Sequence, residues 1–123
     1  MREREALIRR YFNCWVENDP APLPEIFTED VHYIESYGPG YHGLWQIERW
    51  FHDWNLRGCV LRWDCHRFLH SGGTCAVEWT FSCDYDGKSD TFDGVSLIEF
   101  QDGKIAWLKE FASTLPNHYP YDA

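Results

Sequence analysis

The chain has 123 residues and a formal net charge of −9, with 11 Lys and Arg residues against 20 Asp and Glu residues. This length suits one domain with a buried core, and the acidic balance disfavours nucleic acid and anionic membrane surfaces as partners. No stretch approaches the ~20 apolar residues that a membrane span needs. Residues 1–5 are charged and lack the apolar core of a signal peptide, so we expect a cytoplasmic protein.

Aromatic residues make up 18% of the sequence, with seven Trp, seven Tyr and eight Phe. This content fits an aromatic core, or an aromatic-lined cavity for a small hydrophobic molecule. The five cysteines include no Cys-x-x-Cys pair, so we expect buried free thiols and neither a structural zinc site nor a disulfide framework. We also expect no metal site at the histidines and no cofactor, since the glycines form no phosphate-binding loop.

The first half of the chain predicts two helices and one strand. Leu7, Tyr11 and Trp15 recur at helical spacing, and Pro20 forces the preceding residue out of the helical conformation. The predicted elements are a helix at 3–18, a helical turn ending near Phe27, a strand at 31–35, a loop at 36–40 and a helix at 44–55.

The second half predicts strands only. Residues 59–70 and 74–85 alternate between apolar and polar side chains, as half-buried strands do. In 59–70 the alternation places Leu61, Trp63, Cys65 and Leu69 on one face. Short turns at 71–73 and at Asp86-Gly87 join these strands to the next ones.

Residues 91–111 predict a hairpin at the centre of the sheet. Asp102-Gly103 accepts the positive φ angles of a tight turn. Both strands are mostly apolar on both faces, which predicts a central position with cover on both sides. Glu110 interrupts the apolar pattern near the end of the second strand, and a buried carboxylate needs a partner or a proton.

These elements predict an α+β fold, with the helices on one side of a curved antiparallel sheet. A long sheet with one helical layer must curl round the helices, and the interior then forms a cone-shaped cavity suited to a ligand. Since the sequence shows no linker and no repeat, we expect residues 1–123 to form a single domain.

Four short motifs carry a resemblance to a known superfamily. They are Arg10-Tyr11-Phe12 with Asp19, Phe27-Thr28-Glu29-Asp30-Val31, Tyr41-His42-Gly43, and Phe100-Gln101-Asp102-Gly103-Lys104-Ile105. In their order and spacing the chain resembles the nuclear-transport-factor-2-like superfamily, in its SnoaL-like and ketosteroid-isomerase-like branches. The resemblance implies a cystatin-like α+β roll and a homodimer. It leaves the activity open, because this superfamily holds isomerases, cyclases, epoxide hydrolases, dehydratases and binding modules.

The resemblance to ketosteroid isomerase implies candidate catalytic residues. Tyr11 falls where that family keeps its oxyanion-hole tyrosine, and Glu35 where it keeps its general base. Ser96 replaces the family's protonated aspartic acid, and a hydroxyl is a weaker donor to an oxyanion. Glu110 is the fourth candidate, as a second acid or base. The candidates for ligand binding are Trp15, Tyr33, Trp50, Trp54, Trp79, Phe81 and Leu108.

Two functions remain open at this point. The first is a cofactor-independent isomerase, dehydratase or hydrolase for a small hydrophobic carbonyl-type substrate, in which Glu35 moves a proton next to the carbonyl. The second is a non-catalytic binding module for a small apolar or aromatic ligand, in which the carboxylates only orient that ligand. For Glu35 and Glu110 the alternative is a role at the protein surface, facing solvent.

Overall fold

A six-stranded sheet and three helices make up residues 1–122, the part of the chain that this computed structural model describes. In chain order the elements are α1 (Arg2–Glu17), α2 (Leu23–Ile26), β1 (Phe27–Ile34), β2 (Gly40–His42), α3 (Leu44–Asn55), β3 (Gly58–Ser71), β4 (Thr74–Tyr85), β5 (Lys88–Gln101) and β6 (Lys104–Thr114). The α+β fold expected from the sequence is confirmed.

The sheet has the order β2-β1-β6-β5-β4-β3, so the β5–β6 hairpin lies at its centre as predicted. The neighbours from β3 to β6 are antiparallel, whereas β1 pairs with β6 in parallel. The sheet is therefore mixed, and the expectation of a wholly antiparallel sheet is wrong at this one pair. Most of the chain separates β1 from β6, so no tight turn imposes an antiparallel direction on them.

Two of the predicted hairpin turns have the backbone that their sequences favour. Asp86 and Gly87 have φ angles of 50° and 79°, and Asp102 and Gly103 have 52° and 79°. Positive φ at both central residues matches the right-handed twist of the flanking strands. These two turns fix the register of β4 with β5 and of β5 with β6, and thereby the level of each cavity-facing residue.

The structure corrects the predicted edge of the sheet. β1 begins at Phe27, four residues before the predicted start, and ends at Ile34. The last residue of the predicted loop at 36–40 already belongs to a short strand, β2, that the sequence did not suggest. The glycine and proline residues of this segment favour a loop, so the three-residue strand was missed. It pairs with β1, with His42 opposite His32 and Tyr41 opposite Tyr33.

The predicted faces of β3 are partly wrong. Leu61 and Leu69 are 53% and 62% exposed, whereas Val60 and Trp63 are buried. The register with β4 shifts between Val60 and Arg62 and again between Cys65 and Arg67. Each shift inserts one extra residue, and this reverses the face on which the following side chains lie.

The helices cover only the inner face of the sheet. On the central hairpin the inward-facing Ile98 and Leu108 are fully buried, but the outward-facing Phe111 is 49% exposed and Leu97 is half-buried. The prediction of cover on both faces is therefore wrong for the chain on its own. The core and the cavity lie between this inner face and the helices α1 and α3.

Gly94 allows an unusually close approach of a tryptophan to the sheet. It pairs with Trp79 across β4 and β5. A Cβ atom at Gly94 would lie 2.4 Å from Cη2 of Trp79 and 2.5 Å from the carbonyl oxygen of Phe111. The absence of a side chain at Gly94 therefore leaves the space that the Trp79 indole fills. The Phe111 backbone beside this space can move away only at an energetic cost.

We predict that Gly94→Ala lowers the free energy of unfolding by about 1–3 kcal/mol, the usual effect of forcing extra atoms into a packed core. Urea denaturation measures this change. Gly73→Ala is the matched control, because no heavy atom lies within 4 Å of its Cβ position. Equal stability of the two variants would contradict the packing described for Trp79.

Candidate active site

A cavity of about 680 Å³ opens between the inner face of the sheet and the helices α1 and α3. Its walls are largely aromatic, and three carboxyl groups interrupt them: Glu35, Glu110 and the exposed Asp90. The lining residues are Trp15, Glu35, Ser36, Tyr37, Trp50, Trp54, Trp63, Trp79, Phe81, Cys83, Tyr85, Lys88, Asp90, Thr91, Phe92, Glu110, Ala112, Ser113, Thr114 and Leu115.

Glu110 lies on β6 beside the closed end of the cavity. The Tyr33 hydroxyl donates a hydrogen bond to its Oε2 atom, and the Ser36 backbone N–H also donates to the carboxylate. Burial and, to a lesser extent, the nearby charge of Glu35 raise the pKa of Glu110 to about 8, against the lowering effect of these two donors. At neutral pH this carboxyl group is therefore mostly protonated.

A chain of hydrogen bonds extends from Glu110 into the core. Trp15 Nε1 donates to the Tyr11 hydroxyl over 3.0 Å, and Tyr11 donates to the Tyr33 hydroxyl over 2.7 Å. Tyr33 then donates to Glu110. Burial raises the pKa of both tyrosines well above the ordinary value, so both remain protonated donors. The chain ties α1 to β1 and β6 and fixes the position of the Glu110 carboxyl group.

Glu35 directly follows β1 and lies on the wall of the same cavity. The Tyr41 hydroxyl donates to its Oε2 atom over 2.6 Å, and the exposed Tyr37 donates to the same atom over 3.3 Å. Burial raises the pKa of Glu35, while the two tyrosine donors act in the opposite direction by stabilising the ionised form. The two carboxyl groups thus have different surroundings in one cavity.

Tryptophans from the helices form a continuous aromatic wall opposite the sheet. Trp15 contacts Trp50 and Trp54, with ring centroids 4.8 Å and 5.5 Å apart. Trp50 also stacks on Tyr41, the donor to Glu35, at 4.5 Å and an interplanar angle of 15°. This wall excludes water from one side of the cavity and holds Tyr41 in place.

The structure brings together seven of the predicted site residues on the cavity wall. They are Glu35, Glu110, Trp15, Trp50, Trp54, Trp79 and Phe81.

The other four predicted residues, Tyr11, Tyr33, Ser96 and Leu108, are fully buried behind the wall. Tyr11 gives its hydroxyl to Tyr33, and Ser96 accepts a hydrogen bond of 2.9 Å from Trp79 Nε1. The expectation that Tyr11 and Ser96 face a substrate oxygen is therefore corrected, because partners within the protein use these groups.

Several residues of the site were not among the predicted site residues. Tyr41, the hydrogen-bond donor to Glu35, was missed because its strand, β2, was not foreseen. Tyr85 and Phe92 follow the same alternation as Phe81 on their strands, so the sequence did contain a signal for them. Trp63 was predicted to be inward-facing but was not assigned to the site. The polar residues of the mouth, such as Thr91 and Ser113, carry no signal that separates them from ordinary surface positions.

Neither thiols nor histidines give the described cavity a further reactive group. Burial raises the pKa of Cys83, the cysteine on the wall, to about 11, so this thiol is protonated and a poor nucleophile. His66 and His70 are four residues apart on β3, but His66 bonds to Thr80 and His70 to Glu5. Within residues 1–122 no group of three or more His, Cys, Asp or Glu side chains is placed to hold a metal ion.

A curved sheet that encloses a cavity defines a class of small α+β proteins that bind or convert small molecules. Within this class, residues 8–108 match the family model of the SnoaL-like domain, so the chain belongs to the SnoaL-like family. No curated protein matches the sequence. None of the helices in residues 1–122 is long and apolar enough to cross a membrane.

Solved structures share the fold at low sequence identity. A LEH-like epoxide hydrolase from M. tuberculosis is similar with a TM-score of 0.81 and 15% identity, over 90% of this chain and 83% of that one. A protein with a ketosteroid isomerase-like fold from Catenulispora acidiphila, in complex with trimethylamine, has a TM-score of 0.77 and 16% identity, over 85% and 83%. A protein with a cystatin-like fold from Xanthomonas campestris has a TM-score of 0.74 and 21% identity, over 90% and 91%. These similarities show a shared fold, and the family match over residues 8–108 confirms the SnoaL-like branch that the sequence motifs indicated.

The raised pKa of Glu110 predicts that stability depends on pH. The unfolded chain releases this proton near the ordinary pKa of 4.5, whereas the folded chain keeps it up to about pH 8. The free energy of unfolding should therefore fall as pH rises through this window, by up to about 4 kcal/mol from this group. Glu110→Gln should remove most of the fall, as measured by urea denaturation at each pH. Glu99→Gln, an exposed position on β5, is the control and should keep it.

Proposed function

We propose that this chain is a cofactor-independent acid–base catalyst that moves a proton next to the carbonyl group of a small hydrophobic substrate. The observation that carries this proposal is the pair of carboxyl groups, Glu35 and Glu110, on the wall of one aromatic cavity. Each has its own tyrosine donor, Tyr41 for Glu35 and Tyr33 for Glu110. Two carboxyl groups in different surroundings can hold different protonation states and divide the acid and base roles.

The acid is Glu110. Because its pKa is about 8, it carries a proton at neutral pH and donates a hydrogen bond to the substrate carbonyl oxygen. This role replaces the one expected of Tyr11 and Ser96, whose polar atoms have partners within the protein. A neutral carboxylic acid is a strong donor to an oxygen that becomes negative.

The base is Glu35. Its ionised carboxylate takes a proton from the carbon next to the carbonyl, and the electrons of that C–H bond form the C=C bond of an enolate. The carbonyl π electrons move to oxygen, where the Glu110 proton stabilises them. Return of the proton from Glu35 to the γ-carbon of an unsaturated ketone then completes an isomerisation, with no other reactant consumed.

Exchange of α-protons tests this proposal without knowledge of the natural substrate. We expect the protein to catalyse deuterium incorporation into 1-indanone in D₂O, followed by NMR, and to convert 3-cyclohexen-1-one to 2-cyclohexen-1-one. Glu35→Gln should reduce both rates by at least about 10²-fold, the usual contribution of a general base. Glu99→Gln should leave them unchanged. Full activity of Glu35→Gln would rule out this mechanism.

The rate should also depend on pH in a way that separates the two carboxyl groups. Activity should rise with pH as Glu35 ionises and fall at about pH 8 as Glu110 loses its proton. Glu110→Gln keeps a neutral N–H donor, so it should retain part of the activity and lose the fall at high pH. A falling limb that persists in Glu110→Gln would assign it to another group.

Binding without turnover is the second candidate function, and one comparison favours a particular ligand class. The similar structure from Catenulispora acidiphila holds trimethylamine, which is a cation at neutral pH. Here Trp15, Trp50 and Trp54 supply aromatic surfaces that attract organic cations. Ionised Glu35 and Glu110 would supply negative charge deep in the cavity, and the wall also carries two exposed charged residues, Lys88 and Asp90.

A cation binder and an enolising enzyme respond to pH in opposite ways. If the cavity binds cations, tetramethylammonium should bind more tightly than tert-butanol, a neutral molecule of similar size. Its affinity should increase from pH 6 to pH 9 as the carboxyl groups ionise, and Glu110→Gln should weaken binding at pH 9 by about tenfold. Calorimetry measures all three effects. Equal affinity for the two probes would exclude the cation candidate.

We further propose that residues 1–123 form one domain that works as a cytoplasmic homodimer. The family match over residues 8–108 supports the domain assignment. The half-buried outer face of the hairpin, with Leu97 and the 49% exposed Phe111, supports a partner on that side of the sheet.

A further inference from the structure

Trp79 lies between the cavity and the closed end of the hairpin. Directly paired residues of antiparallel strands point to the same face, so the cavity-facing side chains form rows across β4, β5 and β6. One row is Val77, Ser96 and Glu110, and the next row towards the mouth is Trp79, Gly94 and Ala112. Within the first row Glu110 lines the cavity, while Val77 and Ser96 are fully buried.

The indole of Trp79 covers Ser96. Its six-membered ring passes over Gly94, where a Cβ atom would lie only 2.4 Å from Cη2. Its Nε1 atom then reaches the Ser96 hydroxyl at 2.9 Å. Because Ser96 pairs directly with Glu110, the indole fills the space immediately beside the proposed acid.

Trp79 is also held firmly in this position. It makes edge contacts with Trp63 and Phe92, with ring centroids 5.6 Å and 5.9 Å apart. Only 1% of its surface is exposed. Edge-to-face contacts and a buried hydrogen bond both favour one orientation of the ring, so a ligand cannot displace it without losing them.

We propose that Trp79 determines which substrate shapes reach the carboxyl pair. The Trp79 indole fills the space over Gly94 and Ser96, on the β5 side of Glu110, which we call the flank. The space from Glu110 towards the mouth of the cavity stays open. Substrates should therefore carry little bulk on the Trp79 side of their polar group and extend away from it, past Phe81 and Phe92. The inference rests on the proposed function, in which the substrate oxygen meets Glu110.

Two isomeric phenols test this shape rule. In 4-phenylphenol the second ring points directly away from the hydroxyl, and in 2-phenylphenol it lies beside the hydroxyl. With the hydroxyl at Glu110, the wild-type protein should prefer 4-phenylphenol in titrations followed by calorimetry. Trp79→Leu opens the flank and should tighten binding of 2-phenylphenol by at least about tenfold, the discrimination that a pocket wall typically supplies.

Trp54→Leu is the matched control. Trp54 packs on Tyr85, whose row is the farthest from Glu110. This change therefore removes an indole of the same size, but at the mouth of the cavity. It should not tighten binding of 2-phenylphenol. Trp79→Phe retains an aromatic ring and should show a smaller gain in the same direction, which covers the case in which Trp79→Leu does not fold. Circular dichroism checks the fold of each variant.

The outcomes separate this inference from the proposed function. Unchanged or weaker binding of 2-phenylphenol in Trp79→Leu and Trp79→Phe, together with α-proton exchange by the wild type, would overturn the role of Trp79 alone. Absence of both phenol binding and exchange in the wild type would overturn the proposed function and this inference with it. If Trp54→Leu also tightened binding of 2-phenylphenol, the effect of Trp79 would reflect the loss of any indole and not a closed flank, and this would overturn the inference.

Discussion

A carboxyl group buried in an aromatic cavity is the constraint on which the rest of the site depends. An isolated buried charge costs several kcal/mol, so the protein must supply a counter-charge, donors or a proton. Glu110 has no Lys or Arg partner among the described residues and instead receives hydrogen bonds from Tyr33 and Ser36. The Tyr33 hydroxyl donates its hydrogen bond to Glu110, so its oxygen is left to accept one from the Tyr11 hydroxyl. Trp15 Nε1 donates to Tyr11 and completes the chain. One carboxyl group thereby sets the contacts of a helix with two strands.

The parallel pairing of β1 with β6 is what brings the carboxyl groups of Glu35 and Glu110 to the same part of the cavity. Ile34 pairs with Lys109. Because the two strands run in the same direction, the next residues, Glu35 and Glu110, lie at the same level of the sheet. An antiparallel pairing would run the two strands in opposite directions, and the two side chains would come level only by chance of register. The parallel pairing therefore sets the two carboxyl groups level with each other, and the long separation of β1 from β6 along the chain permits it.

The sequence predicted those features that local chemistry determines. Asp-Gly turns, helical spacing and strand alternation correctly indicated both full helices and the central position of the hairpin. Features set by contacts between distant residues were not accessible. The bulges of β3 reversed the faces of Leu61 and Leu69, and the hydroxyl of Tyr11 found a protein partner. Alternation states which face a side chain occupies, but not its depth or its hydrogen-bond partner.

The protonation of Glu110 connects the two candidate functions. With this group neutral, Glu35 is the only member of the carboxyl pair that can carry a charge, and the acid proton is available to an oxygen that becomes negative. With both groups ionised, the same aromatic walls surround two negative charges and favour a cation. A ligand that binds one of these states stabilises it and shifts the apparent pKa accordingly. An anionic enolate analogue should therefore raise the pKa of Glu110, and an organic cation should lower it, so the direction of that shift identifies which chemistry the cavity supports.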